Sequence, residues 1–139
     1  MEPQVSDAAA RPDNWLAEPD WDGMLPDTID KASAHKHWLE IVGELRAQAK
    51  LASVNGHAVS RLVIARVMYE QAARLVMREG LTITHKNGAV SQHPALSIQN
   101  KQAEICAQLE AELTLSPRKR ATGGKVAGKR KDEGGGVKL

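Results

Sequence analysis

The sequence predicts a mainly α protein: a three-helix protomer with a long central helix and a short β-hairpin, flanked by two charged arms. Three observations carry this reading. Apolar residues recur at three- and four-residue spacing over long stretches. The only aromatics are Trp15, Trp21, Trp38 and Tyr69, with no Phe. The core must therefore be built from Ala, Val, Leu, Ile and Met, which suits helices better than sheets. The charge is also segregated. Residues 1–30 hold eight acids and one base, net −7; residues 31–115 hold ten bases and seven acids, net +3; residues 116–139 hold eight bases and two acids, net +6. The formal total of +2 hides this polarity.

The acidic arm, residues 1–26, is punctuated by Pro3, Pro12, Pro19 and Pro26 and has no apolar period. It is expected to be flexible. Trp15, Leu16, Trp21, Met24 and Leu25 are its apolar exceptions. Two roles are open to them: docking on a neighbour, or folding back on their own domain.

The core and oligomerisation domain spans 27–120. Its first helix should begin near Asp27 or Asp30, where acids and hydroxyls offer caps after Pro26, and end near Leu51. Trp38, Ile41, Val42, Leu45 and Ala49 form its apolar face. Asn55-Gly56 supplies a turn. A second helix then runs from His57 to Glu79, stopped by Gly80. Arg66, Glu70, Arg74 and Arg78 make one polar stripe, while most other positions are apolar. Two helices of a small protomer are not expected to cover so much apolar surface. Leu62, Val63, Val67, Met68, Leu75 and Val76 are therefore the expected oligomerisation residues.

Leu81 to Gln92, with Asn87-Gly88 at the turn, reads as a hairpin that should lean on the helices, because two strands alone are marginal. The third helix starts at Pro94 and runs to about Leu113 on an Ile98, Ile105, Leu109 and Leu113 stripe. Ser116-Pro117 opens a further turn. Residues 121–139 form a basic, Gly- and Lys-rich tail expected to be disordered.

Most function classes are excluded or unsupported. A chain of 139 residues leaves no room for a large two-domain enzyme. The single Cys106 rules out an intramolecular disulfide framework and a Cys-rich zinc module. Gly123 to Arg130 fits all but the last position of a phosphate-binding loop, but no strand precedes it and no helix follows. The five histidines have no metal-ligand spacing, and no nucleophile–base arrangement has a local signature. The expectation is no catalytic residue, no metal and no cofactor. Apolar stretches fall short of a membrane span, and Met1-Glu2-Pro3 does not start a signal peptide. A reduced cytoplasmic setting and no membrane partner are the expectation. Arg118, Lys119, Arg120, Lys125, Lys129, Arg130 and Lys131 make an electrostatic footprint for nucleic-acid backbone. Such contacts position a protein without reading sequence.

Two runs carry a family resemblance. The first is Pro26-Asp27 with Trp38-Leu39-Glu40-Ile41-Val42-Gly43-Glu44-Leu45. The second is Gly88, His93-Pro94-Ala95-Leu96, Asn100, Leu109 and Leu113-Thr114-Leu115-Ser116-Pro117-Arg118-Lys119-Arg120. In order and spacing they resemble the tailed-bacteriophage terminase small subunit over roughly residues 26–120. Thr114 stands where the signature usually has Gly, and Ser116, Pro117 and Arg120 match it. The resemblance implies a non-enzymatic, helical protein of the host cytoplasm that assembles into a ring. It also implies binding to double-stranded viral DNA at the packaging start, and recruitment and regulation of the large terminase ATPase/nuclease. The rival readings are a helical DNA-binding regulator of the dimeric repressor type and a phage structural assembly protein that does not bind DNA.

Overall fold

A computed structural model describes residues 16–115. Three helices and one hairpin follow in the expected order: α1 (Thr28–Ala47), α2 (Gly56–Glu79), β1 (Thr82–Thr84), β2 (Val90–Gln92) and α3 (Pro94–Glu112). Short 3-10 turns precede α1 (Trp21–Gly23) and α2 (Ser53–Asn55).

Side chains at the starts of α1 and α3 satisfy N–H groups that the helix itself leaves unpaired. The Asp27 carboxylate accepts from Ile29 N at 3.0 Å and caps α1. At α3 the cap is an imidazole: His93 Nδ1 accepts from Ala95 N at 3.0 Å, with Pro94 at the first helical position.

α1 stops four residues before the expected Leu51, and its closure explains why. Ala49 N donates to Arg46 O (3.0 Å) and Lys50 N to Leu45 O (2.8 Å), the two bonds of a Schellman motif. The motif sets Ala49 at φ +57° and turns Leu51 into the core, where it is 6% exposed. α3 ends the same way. Thr114 N donates to Ala111 O (3.1 Å) and Leu115 N to Glu110 O (2.7 Å), with Thr114 at φ +57°. Gly80 ends α2 at φ +96°, where an L side chain would be strained.

The main core joins all three helices. Trp38, Ile41, Val42 and Leu45 of α1 meet Val59, Leu62, Val63 and Val67 of α2 and Leu109 of α3, with Leu113 just beyond α3. A smaller cluster of Ala72, Val76 and Ala95 joins α2 to α3 beside the hairpin. Its small residues let the two helices approach closely.

Residues 16–26 fold back on their own domain. Leu16 and Trp21 belong to the main core, Leu25 packs against it, and the Trp21 and Trp38 rings meet edge-to-face at 6.3 Å. Trp21 Nε1–H donates to Glu18 (2.7 Å), and Lys31 pairs with Asp22 at 3.3 Å. This strap adds a fourth side to the bundle that no apolar period announces. Trp15 and residues 116–139 lie outside the described residues.

The hairpin is antiparallel, pairing Thr82 with Gln92, Ile83 with Ser91 and Thr84 with Val90. It does not lie along the helices as expected: every strand residue except Ile83 is exposed. Local bonds hold it instead. His85 N donates to Ala89 O (2.8 Å), Ala89 N to Asn87 Oδ1 (2.9 Å), and His93 N to Leu81 O (2.8 Å).

Candidate nucleic-acid interface

The polar stripe of α2 is a clamp between helices. Asp30 of α1, 2% exposed, accepts from Arg74 Nη2 at 2.9 Å and from Gln71 Nε2. Glu70 accepts from Ser33 Oγ and from His37 Nε2, the latter at 2.7 Å. Arg66 donates to Glu110 of α3 (3.0 Å) and to His37 Nδ1 (3.4 Å). A guanidinium can only donate, so His37 accepts at Nδ1 and carries its proton at Nε2, toward Glu70. Asp30, Ser33, His37, Arg66, Glu70, Gln71, Arg74 and Glu110 thus form one seam. Burial raises the Glu70 pKa, but hydrogen bonds from Ser33 and His37 and the charge of Arg74 outweigh it, leaving it below the usual carboxylate value.

Arg66 and Arg74 are thus paired within the protein, although the Arg74 side chain stays 46% exposed. Arg78, 70% exposed, is the most exposed residue of the stripe, with Glu79 beside it at 4.0 Å. Arg46, Lys50, Arg61, Lys86 and Lys101 are further exposed cations. Lys50 Nζ donates to Thr114 Oγ1 at 3.3 Å, tying the end of α1 to the end of α3. The basic segment begins at Arg118, three residues after Leu115. Arg118, Lys119, Arg120, Lys125, Lys129, Arg130 and Lys131 all lie outside the described residues.

The expected oligomerisation residues divide. Leu62, Val63 and Val67 are 0–1% exposed, and Val76 is 4%, all within the protomer itself. α1, α3 and the strap cover more of α2 than its pattern suggests. Leu75 is half-buried and Met68 is 39% exposed, so these two retain surface for a neighbour. Tyr69, Met77, Leu81, Val90 and Ile98 are further exposed apolar side chains.

Nothing among the described residues assembles a reaction centre. Cys106 lines a shallow groove of ≈ 340 Å³ with His37, Arg66, Tyr69 and Glu110. Burial, with help from Glu110, raises its thiol pKa, so the sulfur stays protonated and weakly nucleophilic. Among the described residues no group of three metal-ligating side chains occurs, and no helix is long and apolar enough to cross a membrane.

Two site-shaping residues escape a reading of the sequence. Spacing places His93 only at a hairpin or helix surface, yet it is buried, caps α3 through Nδ1 and meets Glu79 through Nε2 at 2.7 Å. Its position directly before Pro94 is the signal. Asp30 reads as a cap; burial by α2 instead makes it the anchor of the seam. A one-chain pattern could not show its partner forty-four residues away.

The end of α3 accounts for the signature. It needs a left-handed residue between Leu113 and Leu115, the position that Gly usually fills and Thr114 fills here. The model of the family described as phage terminase, small subunit, matches residues 34–130, well over half of the chain. The chain belongs to the phage terminase small subunit family. No curated protein and no solved structure matches it. Terminase small subunits are non-catalytic adaptors, so this one is not an enzyme, and its role lies in phage DNA packaging. The mainly helical protomer with its hairpin is the fold expected of it.

Proposed function

We propose that this terminase small subunit is the DNA-binding adaptor of genome packaging. It recognises double-stranded viral DNA in the host cytoplasm, assembles into a ring, and recruits and regulates the large ATPase/nuclease subunit. The observation that carries the proposal is charge segregation: a +6 segment of 24 residues follows the helical core directly. Arg118, Lys119, Arg120, Lys125, Lys129, Arg130 and Lys131 are its phosphate contacts. Repeated around a ring, such segments bind duplex DNA by avidity.

The test is a salt titration of DNA binding. The full chain should show a steep fall of affinity with salt. Replacing Arg118, Lys119 and Arg120 with Gln should flatten the logarithmic slope by about 0.9 for each phosphate that is no longer neutralised. An unchanged slope in that variant would remove the assignment.

Ring assembly draws support from the apolar surface that the protomer leaves exposed. Met68 and Leu75 are the proposed subunit contacts among the six expected residues, because the other four already fill the protomer core. Light scattering should give a multiple of 15.1 kDa. Met68→Asp should lower that mass while leaving the helical spectrum intact.

A further inference from the structure

One element projects from the helical body, and its surface chemistry differs from the rest of the molecule. Alternation along the strands puts Thr82, Thr84, Val90 and Gln92 on the face opposite half-buried Ile83. All four are exposed, and the cross-strand register joins them in one patch. The turn adds Lys86 and Asn87. No carboxylate occurs between Glu79 and Glu104, so this stretch of the chain is free of acidic side chains. The strap is the opposite case, with Glu18, Asp20 and Asp22, and Asp27 just beyond it.

The hairpin is also firmly rooted. Gly80 closes α2 with its N–H on Val76 O at 2.7 Å. His93 holds Leu81 O through its backbone, Glu79 through Nε2 and the first turn of α3 through Nδ1. The direction of the ribbon is therefore set by α2 and α3.

A two-stranded ribbon is one of the elements that fits the DNA major groove. Gln can pair bidentately with adenine, and methyl groups such as those of Thr and Val suit the thymine methyl. Phosphate contacts from a basic tail cannot supply such discrimination. We propose that the outward face of the hairpin, Thr82, Thr84, Val90 and Gln92, reads base edges in the major groove of A·T-containing duplex DNA, with Lys86 on the adjacent phosphate. This rests on the DNA-binding reading above and assigns the sequence-reading part of it. The geometry allows both parts to act on one duplex. α3 is about 28 Å long, and the 24 residues after Leu115 span up to roughly 80 Å when extended.

The full-length protein would first select duplexes from a random-sequence pool; enrichment of a short motif containing A·T pairs is expected. The Thr82→Ala/Thr84→Ala/Gln92→Ala variant should then lose about tenfold of its preference for the selected duplex over a scrambled one. Its affinity for the scrambled duplex, its thermal melt and its mass in solution should not change. The Arg118→Gln/Lys119→Gln/Arg120→Gln variant should instead weaken both duplexes together. A pool that yields no motif, or a preference indifferent to the hairpin variant, overturns the proposal. So does a fall in solution mass of the hairpin variant, which would make the ribbon a contact between copies. A wild-type chain that binds neither duplex at low salt would remove the DNA-binding reading itself, a result distinct from those.

Discussion

Single residues decide how the helices of this protomer end and begin. Ala49 and Thr114 hold φ +57° without being glycine, and each closes a Schellman motif. The left-handed region costs an L residue roughly 1–2 kcal/mol. Glycine removes that cost but adds unfolded-chain entropy of about 0.4–1 kcal/mol. Ala49→Gly and Thr114→Gly should each stabilise the protein by about 0.5–1 kcal/mol, the difference of those two effects, read as a higher urea midpoint at unchanged slope. Thr114→Gly also restores the residue usual in the family signature, and the gain must exceed what the exposed hydrogen bond from Lys50 contributes. His93 is the converse case, a side chain that carries a cap. His93→Ala should cost about 1–2 kcal/mol. His93→Asn, which can still accept from Ala95 N, should recover part of it. Equal losses in the two variants would mean that packing, not capping, is what His93 contributes.

At the scale of elements, the seam joining α1, α2 and α3 has a pH signature. The Glu70 pKa lies below its ordinary value of 4.5. A carboxylate depressed in the folded state contributes stability that is complete above the unfolded pKa and lost as pH falls through the folded one. Chemical unfolding followed downward from neutral pH should therefore show stability declining below 4.5. In Glu70→Gln that decline should be shallower. Arg74 tests the other end of the seam. Arg74→Ala leaves the buried Asp30 carboxylate with only Gln71 and should cost about 3 kcal/mol. Adding Asp30→Ala should then cost less than it does in the parent protein, since the unpaired charge is gone. The sequence marked the stripe but not its role. A row of Arg and Glu at i, i+4 spacing looks the same whether it faces water or another helix.

For the whole molecule, the strap changes what counts as the domain. Residues 16–26 belong by charge to the acidic arm, yet Leu16 and Trp21 are part of the main core. Trp21→Ala should cost about 3 kcal/mol and expose residues 16–26 to proteolysis ahead of the helices. Simultaneous cleavage throughout the chain would show instead that the strap unfolds only with the bundle. The acidic strap, the acid-free hairpin and the basic sequence after Leu115 are three chemically distinct segments of one chain. The adaptor role proposed above would use such separation, because each partner must find its own surface.

The sequence by itself determined the helices, their order, the place of the hairpin and the family. Apolar period, proline and glycine act over a few residues and are visible in one dimension. Tertiary structure alone decided that Asp30 is buried, that His93 is a cap, that Leu62, Val63 and Val67 are enclosed within the protomer, and that the hairpin stands free. Each of these depends on which surfaces meet across tens of residues. A residue's own spacing records that it is apolar or charged, but not which neighbour takes it out of water.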